Sequence, residues 1–276
     1  MPAADFDEFY RALWGERWEQ LRAALCREPV REAYSFRLKK PYYLDHASVL
    51  AALELPLPHI SDAAEGAGKG TGATGAEAPL ILDACAAPGG KSLVLASRMG
   101  ENCRLIANEL SANRRRRLTT VLDEHLAPKT RENVAVTGFN AAARARKKAE
   151  HGRYDAILLD APCSSERHVL SSPAYLAKWT PARPAALALR QWSLLSAAFL
   201  LLKPGGLLVY VTCSINVAEN DGVVRRVLKK YGETITLEAC GFGEPTETGR
   251  LILPDTDPPG LGPIFAAKVR KRAPIV

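Results

Sequence analysis

The chain has 276 residues, 47% hydrophobic and 24% charged, and 37 Lys and Arg against 30 Asp and Glu give it a formal net charge of +7. This is the composition of a soluble globular protein of one to two domains with a sizeable core. The positive excess permits an anionic partner without requiring one. Six cysteines stand at positions 26, 85, 103, 163, 213 and 240 with no CxxC pair, which argues against zinc or thioredoxin-like sites, and no metal is expected. No run reaches about 18 uncharged apolar residues, so no membrane span is expected. Asp5, Asp7 and Glu8 stand where a signal or transit peptide needs positive charge, and with free cysteines this leads to the expectation of a reducing compartment, the cytoplasm.

In chain order, residues 5–26 place Phe6, Phe9, Tyr10, Leu13, Trp14, Trp18, Leu21 and Leu25 at helical spacing, predicting one amphipathic helix packed on the main body. A second small unit runs through Tyr42–Ser48 to near Pro58, so residues 1–60 are expected to form an N-terminal helical extension. Residues 61–79 are almost wholly Gly, Ala, Thr and Glu, too poor in apolar surface to offset ordering entropy, and read as a flexible surface loop.

The main domain is expected over residues 80–276. Its candidate strands are Leu80–Ala84, Arg104–Asn108, Val134–Thr137, Ala156–Asp160, Leu207–Thr212, Ile235–Glu238 and Ile264–Val269. Helices are expected at Lys91–Arg98, Ser111–His125, Arg183–Leu202 and Ala218–Tyr231, with Ser111 and Asn216 as N-terminal caps. Nearly unbroken apolar strands alternating with helices predict an α/β fold of Rossmann type, a doubly wound and mostly parallel sheet. No long helix separates the last two strands, which suits an antiparallel edge pair.

Open α/β sheets bind ligands outside the C-terminal ends of their strands, where strand order reverses. The first main strand ends there in Asp83-Ala84-Cys85-Ala86-Ala87-Pro88-Gly89-Gly90-Lys91, with two glycines that permit a tight turn and close backbone approach. Gly90-Lys91-Ser92 imitates the end of a P-loop, but Cys85 occupies the place of its leading glycine, and GxGxxG is absent. Glu109 follows the second strand nineteen residues after Gly90, placed to hold two ribose hydroxyls. A glycine loop and a carboxylate without a phosphate cradle fit S-adenosylmethionine.

Two further strands end in Asp160-Ala161-Pro162-Cys163-Ser164 and Thr212-Cys213-Ser214, and as neighbours they would bring both thiols to the same crevice. This pairing suits chemistry at cytosine C5, a poor nucleophile until something adds at C6. A thiolate adds well near neutral pH. A carboxyl group at ring N3, for which Asp160 is the candidate, stabilises the adduct.

At these positions the chain resembles the NOL/Sun (RsmB-like) family of S-adenosylmethionine-dependent RNA cytosine-C5 methyltransferases. The motifs, in order, are Asp83–Lys91, Ala107-Asn108-Glu109 with Ser111 and Arg114, Asp160–Ser164, Lys203-Pro204-Gly205-Gly206 running into Tyr210–Ser214, Glu219-Asn220-Asp221, Arg250 and Lys268. Cys163-Ser164-Ser165-Glu166-Arg167-His168 and the short N-terminal segment look most like the mitochondrial ribosomal-RNA branch and its small bacterial relatives. The resemblance implies that Cys213 is the nucleophile and that Cys163 assists product release. It places S-adenosylmethionine against Cys85, Ala86, Ala87, Pro88, Gly89, Gly90, Lys91, Glu109, Arg114 and Asp160. Where the family usually has an aspartate against adenine, this chain has Asn140, whose amide oxygen can accept from an adenine amine.

Basic clusters at Arg114–Arg117, Arg144–Lys148, Lys229-Lys230 and Arg270–Arg272 can neutralise phosphates. The expected substrate is RNA, ribosomal by the resemblance, with an unstacked cytosine. The longer family members carry added RNA-binding domains that are not visible here, which leaves room for a protein partner in targeting; a monomer is expected. The competing readings are a methyltransferase on transfer RNA or DNA cytosine, and a non-catalytic RNA-binding assembly factor.

Overall fold

The computed structural model describes residues 2–57, 78–256 and 259–273. Most of the stretch expected to be a loop, residues 61–77, lies outside the described residues.

The single N-terminal helix expected from periodicity is two, α1 (Pro2–Trp14) and α2 (Trp18–Leu25), joined by a 3-10 turn at Gly15–Arg17. Gly15 has φ +56, a left-handed conformation that costs glycine little. The turn brings Trp18 and Leu21 into the core that already holds Phe6 and Tyr10, all four fully buried, with the Tyr10 and Trp18 rings stacked at 5.4 Å. The stripe packs on the main body, as expected from its spacing.

The extension is not wholly helical. Strands β1 (Arg31–Tyr34) and β2 (Tyr42–Asp45) form an antiparallel hairpin, followed by α3 (His46–Leu53), whose N-cap Asp45 accepts from the Ala47 N–H at 2.8 Å. Four-residue strands are too short for alternation to show as a period.

The main sheet is built from β3 (Leu80–Asp83), α4 (Gly90–Arg98), β4 (Arg104–Asn108), α5 (Ala112–His125), α6 (Pro128–Glu132), β5 (Val134–Thr137), α7 (Ala141–Arg144) and β6 (Tyr154–Asp160). It continues through α8 (Glu166–Leu170), α9 (Pro173–Leu176), α10 (Ala182–Leu201), β7 (Leu202–Thr212), α11 (Asp221–Tyr231) and β8 (Ile235–Glu238). Short strands β9 (Glu244–Pro245) and β10 (Arg250–Ile252) precede β11 (Ile264–Lys271). Strand order is β5-β4-β3-β6-β7-β11-β10-β9, parallel from β5 to β7, with β11 antiparallel to β7, β8 and β10. This is the Rossmann-type sheet that the strand–helix alternation predicts.

Residues alternate across the sheet. Leu82, Ile157, Leu159 and Tyr210 join the core beneath α1, α10 and α11, while Ile81, Leu158, Val209 and Val211 join the core that includes Leu93 of α4 and Leu122 of α5.

β8 and β11 pair antiparallel, as expected, with β8 joined to β11 alone, while β11 itself lies between β7 and the short β10. One expectation needs correction. Asn216 does not cap α11, which begins at Asp221; its Oδ1 accepts from the Ala218 N–H within the preceding loop. Ser111 does cap α5, accepting from the Arg114 N–H.

Strand order reverses at β3, which has β4 on one side and β6 on the other. The crevice that such a switch creates lies at the C-terminal ends of β3 and β6. The loop after β3 opens there.

Candidate active site

A cleft of about 560 Å³ lies over these strand ends, lined among others by Cys85, Ala86, Ala87, Pro88, Gly90, Lys91, Asp160 and Cys213. Its opposite wall is the unexpected hairpin, with Tyr42, Tyr43, Leu44 and Asp45. A smaller pocket of about 60 Å³ adjoins it, lined by Cys85, Asn108, Glu109, Arg114, Phe139 and Asn140 among others. Cys85 lines both. Burial pushes its thiol up to about 12, so it is a neutral wall between them.

The two glycines serve packing as much as ligand approach. A Cβ on Gly90 would meet Tyr42 at 3.1 Å and Leu44 at 3.2 Å, so its absence lets the hairpin close on the loop. Gly89, with φ +124, turns the chain where a Cβ would press Val121 and Leu118 of α5.

Around the small pocket, Arg114 links the loop to the second strand. Its Nη2 donates to the Ala87 carbonyl at 2.7 Å, and its Nη1 lies 2.9 Å from Glu109 Oε2. That approach is off the donor direction, so Glu109 Oε2 is buried without a hydrogen bond, while Oε1 accepts from the Ser111 N–H. Asp83 Oδ1 is the second such orphan, at the floor of the large cleft, with its Oδ2 accepting from Ser92 at 2.6 Å. Burial pushes the Asp83 carboxyl up to about 7. An ammonium for one orphan and ribose hydroxyls for the other would satisfy both, and S-adenosylmethionine carries both kinds of donor. The residues therefore fit this cofactor. Asn140 lines the small pocket, but its Oδ1 already accepts from the Ala143 N–H at 3.1 Å as the N-cap of α7. The oxygen expected to meet adenine is thus partly committed.

At the other side of the cleft the strand ends of β6 and β7 bring the two thiols together. Cys163 Sγ and Cys213 Sγ are 2.9 Å apart, and the Cys213 amide donates to Cys163 Sγ at 3.3 Å. The two thiols are shifted in opposite directions. The hydrogen bond from Cys163, with help from Ser165 and the Lys91 charge, draws Cys213 down against its burial and the nearby Asp160 charge, while the same hydrogen bond and burial push Cys163 well up. Cys213 is therefore the more readily ionised of the two.

Lys91 Nζ donates to Asp160 Oδ2 at 2.8 Å. Burial pulls the ammonium down, but the charge and hydrogen bond of Asp160 more than offset this and hold it above its usual value. Every cofactor-site residue named from the sequence lies on this loop, its neighbours or the adjoining pocket, and Asp160 stands between loop and thiols.

Three features were not anticipated. The hairpin wall is one. Arg167 is another: it lines the cleft and donates to the carbonyls of Gly262 and Arg27. Asp83 is the third, and its one signal in the sequence is a charge at the end of an apolar strand. Of the basic clusters, much is consumed locally. Arg144 pairs with Glu150, Arg270 with Glu238, and Lys271 donates to the Phe199 and Leu202 carbonyls. The basic residues lining the cleft are Arg27, Arg31, Lys91, Arg117 and Arg167, largely outside those runs.

A family profile described as 16S rRNA methyltransferase RsmB/F matches residues 74–269. Ribosomal RNA small subunit methyltransferase F of Serratia proteamaculans is 39% identical over 168 residues, covering 60% of this chain and 34% of that protein. The protein of the same name from Shewanella denitrificans is 37% identical over 207 residues, covering 72% and 39%. The chain thus spans between about a third and two fifths of the length of these curated relatives. Among solved structures, that of NSun6 from Pyrococcus horikoshii with SFG aligns at a TM-score of 0.65 and 25% identity, covering 89% of this chain and 56% of that one. A methyltransferase homolog from Pyrococcus horikoshii shares the fold over 96% of this chain and 93% of its own, at a TM-score of 0.71 and 23% identity. Since the family match runs from before the glycine loop through both cysteine-bearing strand ends into β11, the chain belongs to the RsmB/F family of 16S rRNA methyltransferases, the NOL/Sun group that its motifs resemble.

Proposed function

We propose that this protein methylates C5 of a cytosine in small-subunit ribosomal RNA, with Cys213 as the nucleophile. The observation that carries the reading is the pair of thiols in contact, with the more readily ionised one lining the cleft. The family membership and the relatives' names support ribosomal RNA as the target, and the NSun6 structure with SFG, an S-adenosylmethionine analogue, supports the cofactor.

Cys213 Sγ forms a bond to C6 of a cytosine seated in the cleft, and the displaced π electrons move toward C5. Asp160 has one oxygen held by Lys91, which leaves Oδ1 to meet ring N3 and to carry the proton that N3 takes up as the adduct forms. Bound against Cys85–Lys91, Glu109, Arg114 and Asn140, S-adenosylmethionine supplies the electrophilic methyl group. A base then takes the C5 proton, the electron pair returns to the ring, and the C6–S bond breaks. Cys163, 2.9 Å from Cys213 and held well above the usual thiol range by that contact and burial, is placed to give its proton to the departing thiolate.

The test is incubation of the purified chain with methyl-labelled S-adenosylmethionine and small-subunit ribosomal RNA, followed by nucleoside mass spectrometry. Label in 5-methylcytidine is expected. Label confined to another nucleoside would overturn the reading.

A further inference from the structure

Beneath the two thiols lies a buried network that the reaction itself does not use. Glu166 and Glu219 are both fully buried. Glu219 Oε2 accepts from the Ser164 N–H at 2.9 Å and from Gln191 Nε2 at 2.7 Å, and Oε1 accepts from the Ser164 hydroxyl. Gln191 also donates to the Pro162 carbonyl at 2.8 Å. Glu219 therefore grips the residues on both sides of Cys163. Glu166 accepts from the Ile215 N–H at 3.2 Å through Oε2, and through Oε1 from Tyr10 of α1 at 2.6 Å and from Ser214 at 2.9 Å. The Ser214 hydroxyl is also 3.1 Å from Glu219 Oε1. Ser164 and Ser214, the residues that follow the two cysteines, are thus tied to one pair of carboxyl groups.

We propose that Glu166 and Glu219 act as a buried positioning pair, locking the two cysteine loops to each other and to α1 and deciding which of the two sulfurs keeps the proton. The inference rests on Cys213 being the nucleophile. A hydroxyl has one proton, so Ser214 cannot donate to both carboxylates at once. Two ionised carboxylates joined through it repel each other in a low-dielectric site. Burial and Glu219 push Glu166 up to about 7, and burial pushes Glu219 up, so both carboxyls resist ionisation and Glu166 takes up its charge near neutral pH. The titratable groups facing the pair are the Tyr10 hydroxyl from α1, the Tyr210 hydroxyl from β7, which donates to the Glu219 carbonyl at 2.6 Å, and the Cys163 thiol at the end of β6; Gln191 of α10, Ser164 and Ser214 are neutral donors. Negative charge here opposes ionisation of the nearby Cys163 and so favours ionisation at Cys213 instead.

Alkylation with iodoacetamide, read at each cysteine by mass spectrometry, tests this on the full chain without RNA or cofactor. The wild-type chain should modify Cys213 at least about ten-fold faster than Cys163 near neutral pH, with the ratio rising between about pH 6 and 8 as Glu166 takes up its charge. Glu166→Gln and Glu219→Gln, checked for native circular dichroism, should lower the ratio to below about three-fold and flatten its pH course. Both variants folded, with the wild-type ratio and pH course intact, would overturn the proposal. Should neither fold, Tyr10→Phe decides the matter. It removes a donor that favours ionised Glu166, so the midpoint of the pH course should move upward, and an unmoved midpoint would overturn the proposal. Faster reaction at Cys163 in the wild type would overturn the nucleophile assignment and the proposal together, a failure distinct from an unmoved ratio.

Discussion

The Cys163 sulfur lies 2.9 Å from that of Cys213 and also accepts the Cys213 amide proton at 3.3 Å, so one thiol both donates to its neighbour's sulfur and is fixed by its neighbour's backbone. Neither sulfur could be placed this way by its own strand. Register pairs Asp160 with Val211, and the loops beyond those residues are held by Glu219 and Glu166.

The buried carboxyl pair makes stability depend on pH. Glu166 keeps its proton up to about pH 7 in the fold, whereas an exposed glutamate releases it near its ordinary value, about 4.3. The folded state therefore binds more protons between these values, and its stability, fully present below that range, falls as pH rises through about 7. Asp83 acts in the same direction over the same window. Glu166→Gln should match the wild-type melting temperature near pH 4 and exceed it near pH 8, by on the order of 1–3 kcal/mol in stability. A variant with the same pH slope as the wild type would remove Glu166 as a source of the dependence.

Asn140 caps α7 and is also a candidate contact for adenine, and one substitution cannot separate the two. Asn140→Ala removes the α7 cap, worth about 1 kcal/mol of stability, along with any contact to adenine. Asn140→Ser keeps a capping oxygen but is too short to reach the ligand. If Asn140 contacts adenine, both variants should weaken S-adenosylmethionine binding by roughly 0.5–1.5 kcal/mol in calorimetry, while Asn140→Ala alone loses stability. Full affinity in Asn140→Ser would take Asn140 out of the cofactor site.

Lys91 is a cation whose charge acts on Cys213. Lys91→Met leaves Asp160 unpaired and removes a charge that lowers Cys213. Cys213 alkylation in the variant should slow several-fold near pH 7 and recover at higher pH. An unchanged rate profile would show that the hydrogen bond from Cys163 sets the reactivity of Cys213 by itself.

The sheet was legible because its strands are short apolar runs bounded by turn residues. Arg104–Asn108, Val134–Thr137 and Ile235–Glu238 fall where the sequence places them. The hairpin was not, since Tyr42–Asp45 buries only Leu44 and its partner strand Arg31–Tyr34 buries nothing. Strands defined by pairing rather than burial leave no periodic trace. The break at Gly15 was hidden for the opposite reason, because Trp18 and Leu21 keep helical spacing with Tyr10 and Trp14 across it. In the site, Cys163, Cys213, Asp160 and the glycine loop announced themselves by residue type at strand ends. Glu166 and Glu219 did not, because a glutamate, in helix or loop, reads as solvated, and only the fold shows that both are buried.

The division of labour between the two cysteines is tested most directly by covalent trapping. Wild-type, Cys163→Ala and Cys213→Ala chains, with the double variant, are incubated with target RNA and S-adenosylmethionine and run on a denaturing gel. With Cys213 attacking C6 and Cys163 releasing it, Cys163→Ala should leave RNA covalently attached as a slow band. Cys213→Ala and the double variant should show none and transfer no methyl group. A slow band in Cys213→Ala with none in Cys163→Ala would contradict the assignment and give the attack to Cys163.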